Sequence, residues 1–349
     1  MVREVALDRK EKQGNSFLEL HPNLSRNDPR IQMVSAPQIF KEPPIYFLEQ
    51  GRRYLSDEEI RYCSRFDRNL GLLSVQGQLL LLHSKVSVAG CGAEGSTIAK
   101  RLVQSGVGNL VLADNDVFEL SNVNRQEGAG EKTLGLNKAK ATANMVKDVN
   151  PEINLKILTS GIGEDTIKFL EGSDLIVEEI DYKAPLVVLM VHDFARENRI
   201  PTITSISVGF GFRVYYVDYL RKRGMDFREF IGFSDSTGLE EIRERIEEIN
   251  ILKFCPRLPQ YISEAVLVAV ARGESAPVVT EGVNMGAGYI NFLVKEILLG
   301  SPEQPRTLPY IYCFDAQTGD FGLVDARTPD GQVSEKIVSF SRKKGKPHA

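Results

Sequence analysis

Short apolar runs separated by amphipathic stretches set the pattern of this chain from Lys85 onward. Val86-Ser-Val-Ala89, Asn109-Leu-Val-Leu-Ala113, Ile153 to Leu158, Asp174 to Glu178 and Pro201 to Ser205 each read as a short buried strand. Between them the sequence predicts helices: one after Gly95 through Val103, one over Leu136 to Val149, and one over Pro185 to Asn198 with Pro185 in its first turn. Strands alternating with helices predict an α/β fold, Rossmann-like, with a mainly parallel sheet and helices on both faces. Upstream, Ser56 followed three residues later by Glu59 has the spacing of a capping box and opens a helix; a second short helix covers Ser74 to His83. Downstream the alternation becomes irregular. Arg213 to Tyr219 reads as a strand, Leu239 to Ile249 as a charged helix with a solvated face, and Asn284 to Leu299 as a buried, glycine-containing helix. Tyr310 to Phe314 and Phe321 to Val324 read as a closing hairpin, so the C-terminal side adds a hairpin and helices to the core. Residues 1–50, punctuated by Pro22, Pro29, Pro37, Pro43 and Pro44, read as an N-terminal extension. Residues 51–330 then form the main domain, with a core at 85–215 and a less regular region at 209–330. The basic end, 331–349, reads as a disordered tail.

Composition narrows the function classes. The 349 residues are 42% hydrophobic and 26% charged, which excludes wholesale disorder. Lys plus Arg is 43 against 47 for Asp plus Glu, a net charge of −4, so no broad basic surface for DNA is expected. No apolar run approaches the ~20 residues of a membrane span. The start, Met1-Val-Arg-Glu-Val, has no apolar signal-peptide core, and a cytoplasmic protein is expected. Cys63, Cys91, Cys255 and Cys313 are scattered with no Cys-x-x-Cys pair, and His21, His83, His192 and His348 form no cluster. Structural zinc is not expected, and the thiols point to a reducing compartment.

The chemistry begins at Gly90-x-Gly92-x-x-Gly95, after a strand and before a helix. Glycines there permit a tight turn and close approach of backbone to a phosphate, beside the unpaired N–H groups of a helix N-terminus. Asp114 closes the next strand, 19 positions after Gly95, where an acid typically accepts from ribose hydroxyls. These features indicate a nucleotide but do not separate NAD from ATP. The polar segment Asp114-Asn-Asp116-Val-Phe-Glu-Leu-Ser121-Asn122-Val-Asn124-Arg125-Gln126 follows, then Gly135-x-x-Lys138. A guanidinium and an ammonium suit a triphosphate, whose charge they neutralise.

At this point the sequence resembles the ubiquitin-activating-enzyme-like family, which includes ThiF, MoeB and the adenylation domains of ubiquitin-activating enzymes. The resemblance runs through the glycine turn, Asp-x-Asp-x-Val, Ser-Asn-x-x-Arg-Gln, Gly-x-x-Lys, Asn150-Pro151 and Asp181 after the fifth strand, covering about residues 55–215. It implies an ATP-dependent adenylyltransferase that activates a substrate carboxylate as an acyl-adenylate and releases pyrophosphate. It further implies that Gly90, Gly92, Gly95, Asp114 and Asp116 form the nucleotide site. Asn122 and Arg125 would grip the β/γ-phosphates, with Gln126 supporting them. Lys138 would sit near the α-phosphate, and Asp181 would hold Mg²⁺. Arg65-Phe-Asp-Arg68-Asn resembles the segment that reaches across the homodimer in relatives, making Arg68 a candidate finger supplied in trans. The acceptor would be a carrier-protein or peptide C-terminus, or a small carboxylic acid.

The chain departs from the family pattern in three places. Glu179-Ile-Asp181-Tyr182 stands where the family has Thr-Asp-Asn around its metal aspartate, the zinc cysteine pairs are missing, and Cys255 is a poor thioester candidate. Ser207-Val-Gly209-Phe-Gly211 could accept an extended substrate tail by strand addition, or could be a tight bend. Two other function classes stay open on the residues: a non-catalytic nucleotide-binding scaffold, and an NAD-binding oxidoreductase that would leave Asn122, Arg125, Lys138 and Asp181 without roles.

Overall fold

Each strand of the core alternates two apolar faces, and the sheet is built to bury both. The computed structural model describes residues 55–328 apart from Asp235 and residues 246–253. The extension 1–50, the tail 331–349 and the end of the charged helix therefore lie outside the described residues. Five parallel strands come first: β1 (Lys85–Ala89), β2 (Asn109–Ala113), β3 (Asn154–Leu158), β4 (Leu175–Glu178) and β5 (Thr202–Val208). Three antiparallel strands extend them: β6 (Gly211–Val217), β7 (Tyr310–Asp315) and β8 (Asp320–Asp325). The order is β3-β2-β1-β4-β5-β6-β7-β8. The chain thus runs outward from β1 in one direction and then returns to β1's other side, leaving a switch point between β1 and β4.

Seven of the nine α-helices among the described residues follow the sequence reading. In chain order the nine are α1 (Asp57–Arg65), α2 (Val75–His83), α3 (Ala93–Ser105), α4 (Lys138–Val149), α5 (Pro185–Glu197), α6 (Phe227–Ile231), α7 (Leu239–Glu244), α8 (Glu264–Ala271) and α9 (Thr280–Leu298). The Ser56–Glu59 capping box forms as expected at the start of α1. Val86, Val88, Leu110, Leu112, Leu175 and Val177 face α3, α4 and α9. Val111, Ala113 and Ile176 face the opposite side, where Leu189 and Ala195 of α5 cover them. A third cluster ties α1 to α2 through Tyr62, Cys63 and Leu79. The Tyr62 hydroxyl donates to the Gln78 carbonyl at 3.0 Å, fixing that pair.

One sequence reading is corrected and two are refined. Asp181 follows β4, the fourth strand. The charged helix presents the solvated face expected of it, with Ile242 on its inner side buried in the second core. The glycines after β5 make a two-residue hairpin turn, Val208 pairing with Gly211, and β6 is flanked by both β5 and β7. Gly209 has φ +59, and a Cβ there would lie 2.1 Å from the Tyr261 hydroxyl, so this is a tight bend, while β5 pairs with β4 only through Thr202 and Ile203.

Candidate active site

The C-terminal ends of β1, β2 and β4 lie side by side, with Ala89 in register with both Ala113 and Glu178. The three loops that leave them carry most of the expected site. Gly90 has φ +100 and packs on the Glu179 carbonyl; a Cβ on Gly95 would stand 1.9 Å from the Gly90 carbonyl oxygen. These two glycines are required by the turn itself. Gly92, the N-cap of α3, has nothing within 4 Å of its missing Cβ, so the turn is open at this point.

Asp114 binds the two neighbouring loops. One carboxylate oxygen accepts from the Cys91 N–H at 2.7 Å, and the other from the Asp116 N–H at 2.8 Å. Burial raises its pKa, partly offset by those N–H bonds and by the Lys138 charge. Lys138 opens α4 and is 8% exposed, its ammonium 3.0 Å from the Asp116 carboxylate. Asp116 is therefore the partner that aims Lys138. Asn137, which the sequence reading passed over, holds the junction. Its oxygen caps α4 at the Lys140 N–H, and its amide donates to the carbonyls of Asp114, Asp116 and Thr159. An Asn immediately before a lysine-rich helical run is the available sequence signal for such a cap.

In the β2–α4 loop, Asn122 is turned inward. Its oxygen accepts from the Glu119 N–H at 3.0 Å and its amide donates to the Ser121 hydroxyl, so it shapes the turn. Arg125 donates to the Ser121 carbonyl and the Asn124 side chain. Gln126 is buried, and its Oε1 has no hydrogen-bond partner among the described residues.

Asp181 is exposed, and one of its oxygens accepts from the Lys183 N–H at 2.9 Å. The neighbouring acids turn elsewhere. Glu178 accepts from the Ile180 N–H and faces Thr204 and Tyr215, while Glu179 accepts from the Ser205 N–H on the other face of the sheet. Burial, then the Glu94 carboxylate, hold Glu179 well above the ordinary range. Among the described residues no group of three or more His, Cys, Asp or Glu could hold a metal. One exposed carboxylate does fit Mg²⁺, which commonly takes one or two carboxylates and completes its shell with phosphate and water oxygens.

Arg68 is not brought to this cleft. It is exposed, and its neighbour Asn69 bonds the Ser105 carbonyl at the far end of α3, about 20 Å along the helix from Gly92. Cys91 is packed beneath the turn, its pKa raised by burial. Cys255 is buried and pushed up to about 11, the reverse of an activated thiol.

The glycine turn, Asp114, Asp116 and Lys138 gather at the switch point of an α/β sheet. Residues 66–329 match the ThiF family, and the chain belongs to it. The adenylyltransferase and sulfurtransferase MOCS3 of Xenopus laevis is 38% identical over 117 residues, 33% of this chain and 26% of that protein. The tRNA threonylcarbamoyladenosine dehydratase of Bacillus subtilis is 33% identical over 144 residues, 41% of this chain and 56% of that protein. The chain thus spans between about a quarter and just over half of these relatives' lengths. Among solved structures, E. coli MccB with AMPCPP and MccA superimposes with a TM-score of 0.56 at 19% identity, covering 82% of this chain and 78% of that one. PaaA gives 0.55 at 20% identity, covering 78% of this chain and 85% of that one. Both show the same fold.

Proposed function

We propose that this protein is an ATP-dependent adenylyltransferase that activates a substrate carboxylate. The observation that carries the reading is the hydrogen-bonded set Gly90–Cys91, Asp114, Asp116 and Lys138. It joins a ribose acceptor, an open phosphate turn and an aimed ammonium at one strand-end crevice. An oxidoreductase gives no role to Lys138, Arg125 or Asp181. Family membership supports the same chemistry, and the named relatives include adenylyltransferases.

In this reading Asp114 accepts from the ribose hydroxyls with the lone pairs its two N–H bonds leave over. The phosphates lie over Gly92, where open space and the α3 N-terminus favour an anion. Lys138 leaves Asp116 for the α-phosphate. A carboxylate oxygen attacks the α-phosphorus, the bond to the bridging oxygen of the β-phosphate breaks, and pyrophosphate leaves with that electron pair. Lys138 and Arg125 stabilise the charge that develops, in a site that is already organised. Asp181 would hold Mg²⁺, which supplies further neutralisation of the phosphate charge when bound. No covalent enzyme intermediate is needed, in keeping with a buried Cys255.

ATP–pyrophosphate exchange, screened over carboxylates and small carrier proteins, tests the reading. Lys138→Ala and Asp181→Ala are each expected to lower exchange at least about 100-fold while leaving the melting temperature close to that of the native chain. Wild-type exchange unaffected by both substitutions would refute it.

A further inference from the structure

Among the described residues, two carboxyl groups beside the glycine turn have no cationic partner. Glu94, in the first turn of α3, is 8% exposed; one oxygen accepts from the Ser207 hydroxyl, and the other has no hydrogen-bond partner. Ser205, buried on the same face of β5, has an equally unpartnered hydroxyl. A Cβ on Gly286 of α9 would lie 2.7 Å from that hydroxyl and 3.3 Å from the free Glu94 oxygen, so both orphan atoms flank one spot facing α9. Glu179 borders them, accepting from the Ser205 N–H at 2.8 Å, its Cβ 3.4 Å from where a Cβ on Gly95 would stand. Among the described residues no Lys or Arg pairs with either acid. Glu179 and Ser207 are half-buried, so the outer members of the group are partly open to solvent, while the orphan Glu94 and Ser205 atoms are buried.

Position gives this acidic wall a meaning. Asp114 and Lys138 lie on the β2 side of the glycine turn, whereas Glu94, Glu179, Ser205 and Ser207 lie on the β4–β5 side. A nucleotide held on the first side leaves the second for the molecule that attacks it. A buried carboxylate without a counter-charge is costly, and one matched by a cation with good hydrogen bonds is far less so. Burial favours the protonated form of Glu94, and a cationic N–H group would reverse that by pairing with its ionised form and donating to the orphan oxygen, which a ligand without such a group leaves unmatched. The described residues offer no third acid or histidine for a metal here.

Resting on the adenylation reading above, we propose that Glu94 and Glu179 select a carboxylate substrate that carries a cationic N–H group a few atoms from its reacting carboxyl. Two sources present that chemistry: the α-ammonium of a free amino acid, or a Lys or Arg side chain next to the C-terminus of a peptide.

The test is ATP–pyrophosphate exchange on the full chain with four probes. These are the free amino acids, a hexapeptide pool with Lys or Arg in the last two positions, the same pool with norleucine there, and short aliphatic acids. ATP affinity by calorimetry and thermal melting accompany each variant. A cationic probe is expected to exceed the neutral ones by at least tenfold in kcat/KM, the better of the two cationic arms naming the source. Glu94→Gln is expected to erase that preference through KM, with ATP affinity held within about twofold. Glu94→Leu is expected to melt no lower than the native chain, since it removes a buried unpaired oxygen. Equal use of neutral carboxylates overturns the inference, as does a preference that survives Glu94→Gln. ATP binding with no exchange on either cationic probe also overturns it, leaving nucleotide binding intact. Absence of ATP binding removes the adenylation reading itself, and this inference with it.

Discussion

Glu178, Glu94 and His192 are ionisable groups buried at or near the sheet, and burial moves each of them. Glu178 is pushed up to about 7 and Glu94 to about 8, while His192 falls to about 3. The His192 ring approaches Glu178 at 4.0 Å, yet near neutrality the imidazole is uncharged, so this contact is no salt bridge. The two acids, raised in the folded state, contribute stability that is complete below about 4.5 and lost as pH climbs through 7 and 8. His192, lowered from 6.5, contributes stability that is complete above that value and lost as pH falls toward 3. Urea unfolding between pH 4 and 9 should therefore show maximal stability at mildly acidic pH, with Glu178→Gln flattening the alkaline decline; a maximum above pH 8 would contradict this. At this scale the sequence displayed Asp114, Lys138 and Asp181 through motif and spacing. The directions of Glu94, Glu178 and Glu179 were hidden, because their partners Thr204, Ser205 and Ser207 arrive from a strand 26 to 113 residues distant. The inward turn of Asn122 was hidden for a related reason: in a polar loop, type alone does not tell an inward turn-builder from an outward ligand.

Elements with a clear period or cap were legible, and those without were not. The start of α1 came from Ser56, whose hydroxyl accepts the Glu59 N–H as expected, and the start of α2 was placed at Ser74, whose hydroxyl accepts the Gly77 N–H. α8 was missed because Ala265-Val-Leu-Val-Ala-Val-Ala271 is apolar throughout and shows no helical stripe; α6 is only five residues long. The glycine turn lets the two meanings of its glycines be separated. Gly95→Ala forces a Cβ to 1.9 Å from the Gly90 carbonyl and should cost at least about 2 kcal/mol of stability, read from the urea midpoint. Gly92→Ala meets nothing in the empty protein; the fold should persist while ATP affinity drops, read by calorimetry. If Gly92→Ala bound ATP as tightly as the native chain, the phosphates would have to lie elsewhere.

For the whole molecule, the parallel core was readable from alternating strands and helices, but the order of β6 to β8 was not, since nothing local dictates which edge a late hairpin joins. The described chain also leaves Arg68 on a surface remote from its own cleft, beside Leu72, which is 86% exposed; Leu120, 70% exposed, lies near Arg125. If Arg68 serves a second protomer, mixing Arg68→Ala chains with Asp181→Ala chains should restore about a quarter to a half of wild-type exchange, because one of the two sites in each heterodimer is intact. No recovery in verified heterodimers would assign Arg68 to the surface alone. The sheet topology also bears on synthesis. β6 pairs with β7 through Arg213 and Cys313, roughly a hundred residues apart. At about 5–20 residues per second, the ribosome releases β6 some 5–20 s before its second neighbour exists. During that interval Phe212, Val214 and Tyr216 border an open hydrogen-bonding edge, so nascent chains halted before residue 310 should be the form most dependent on chaperones.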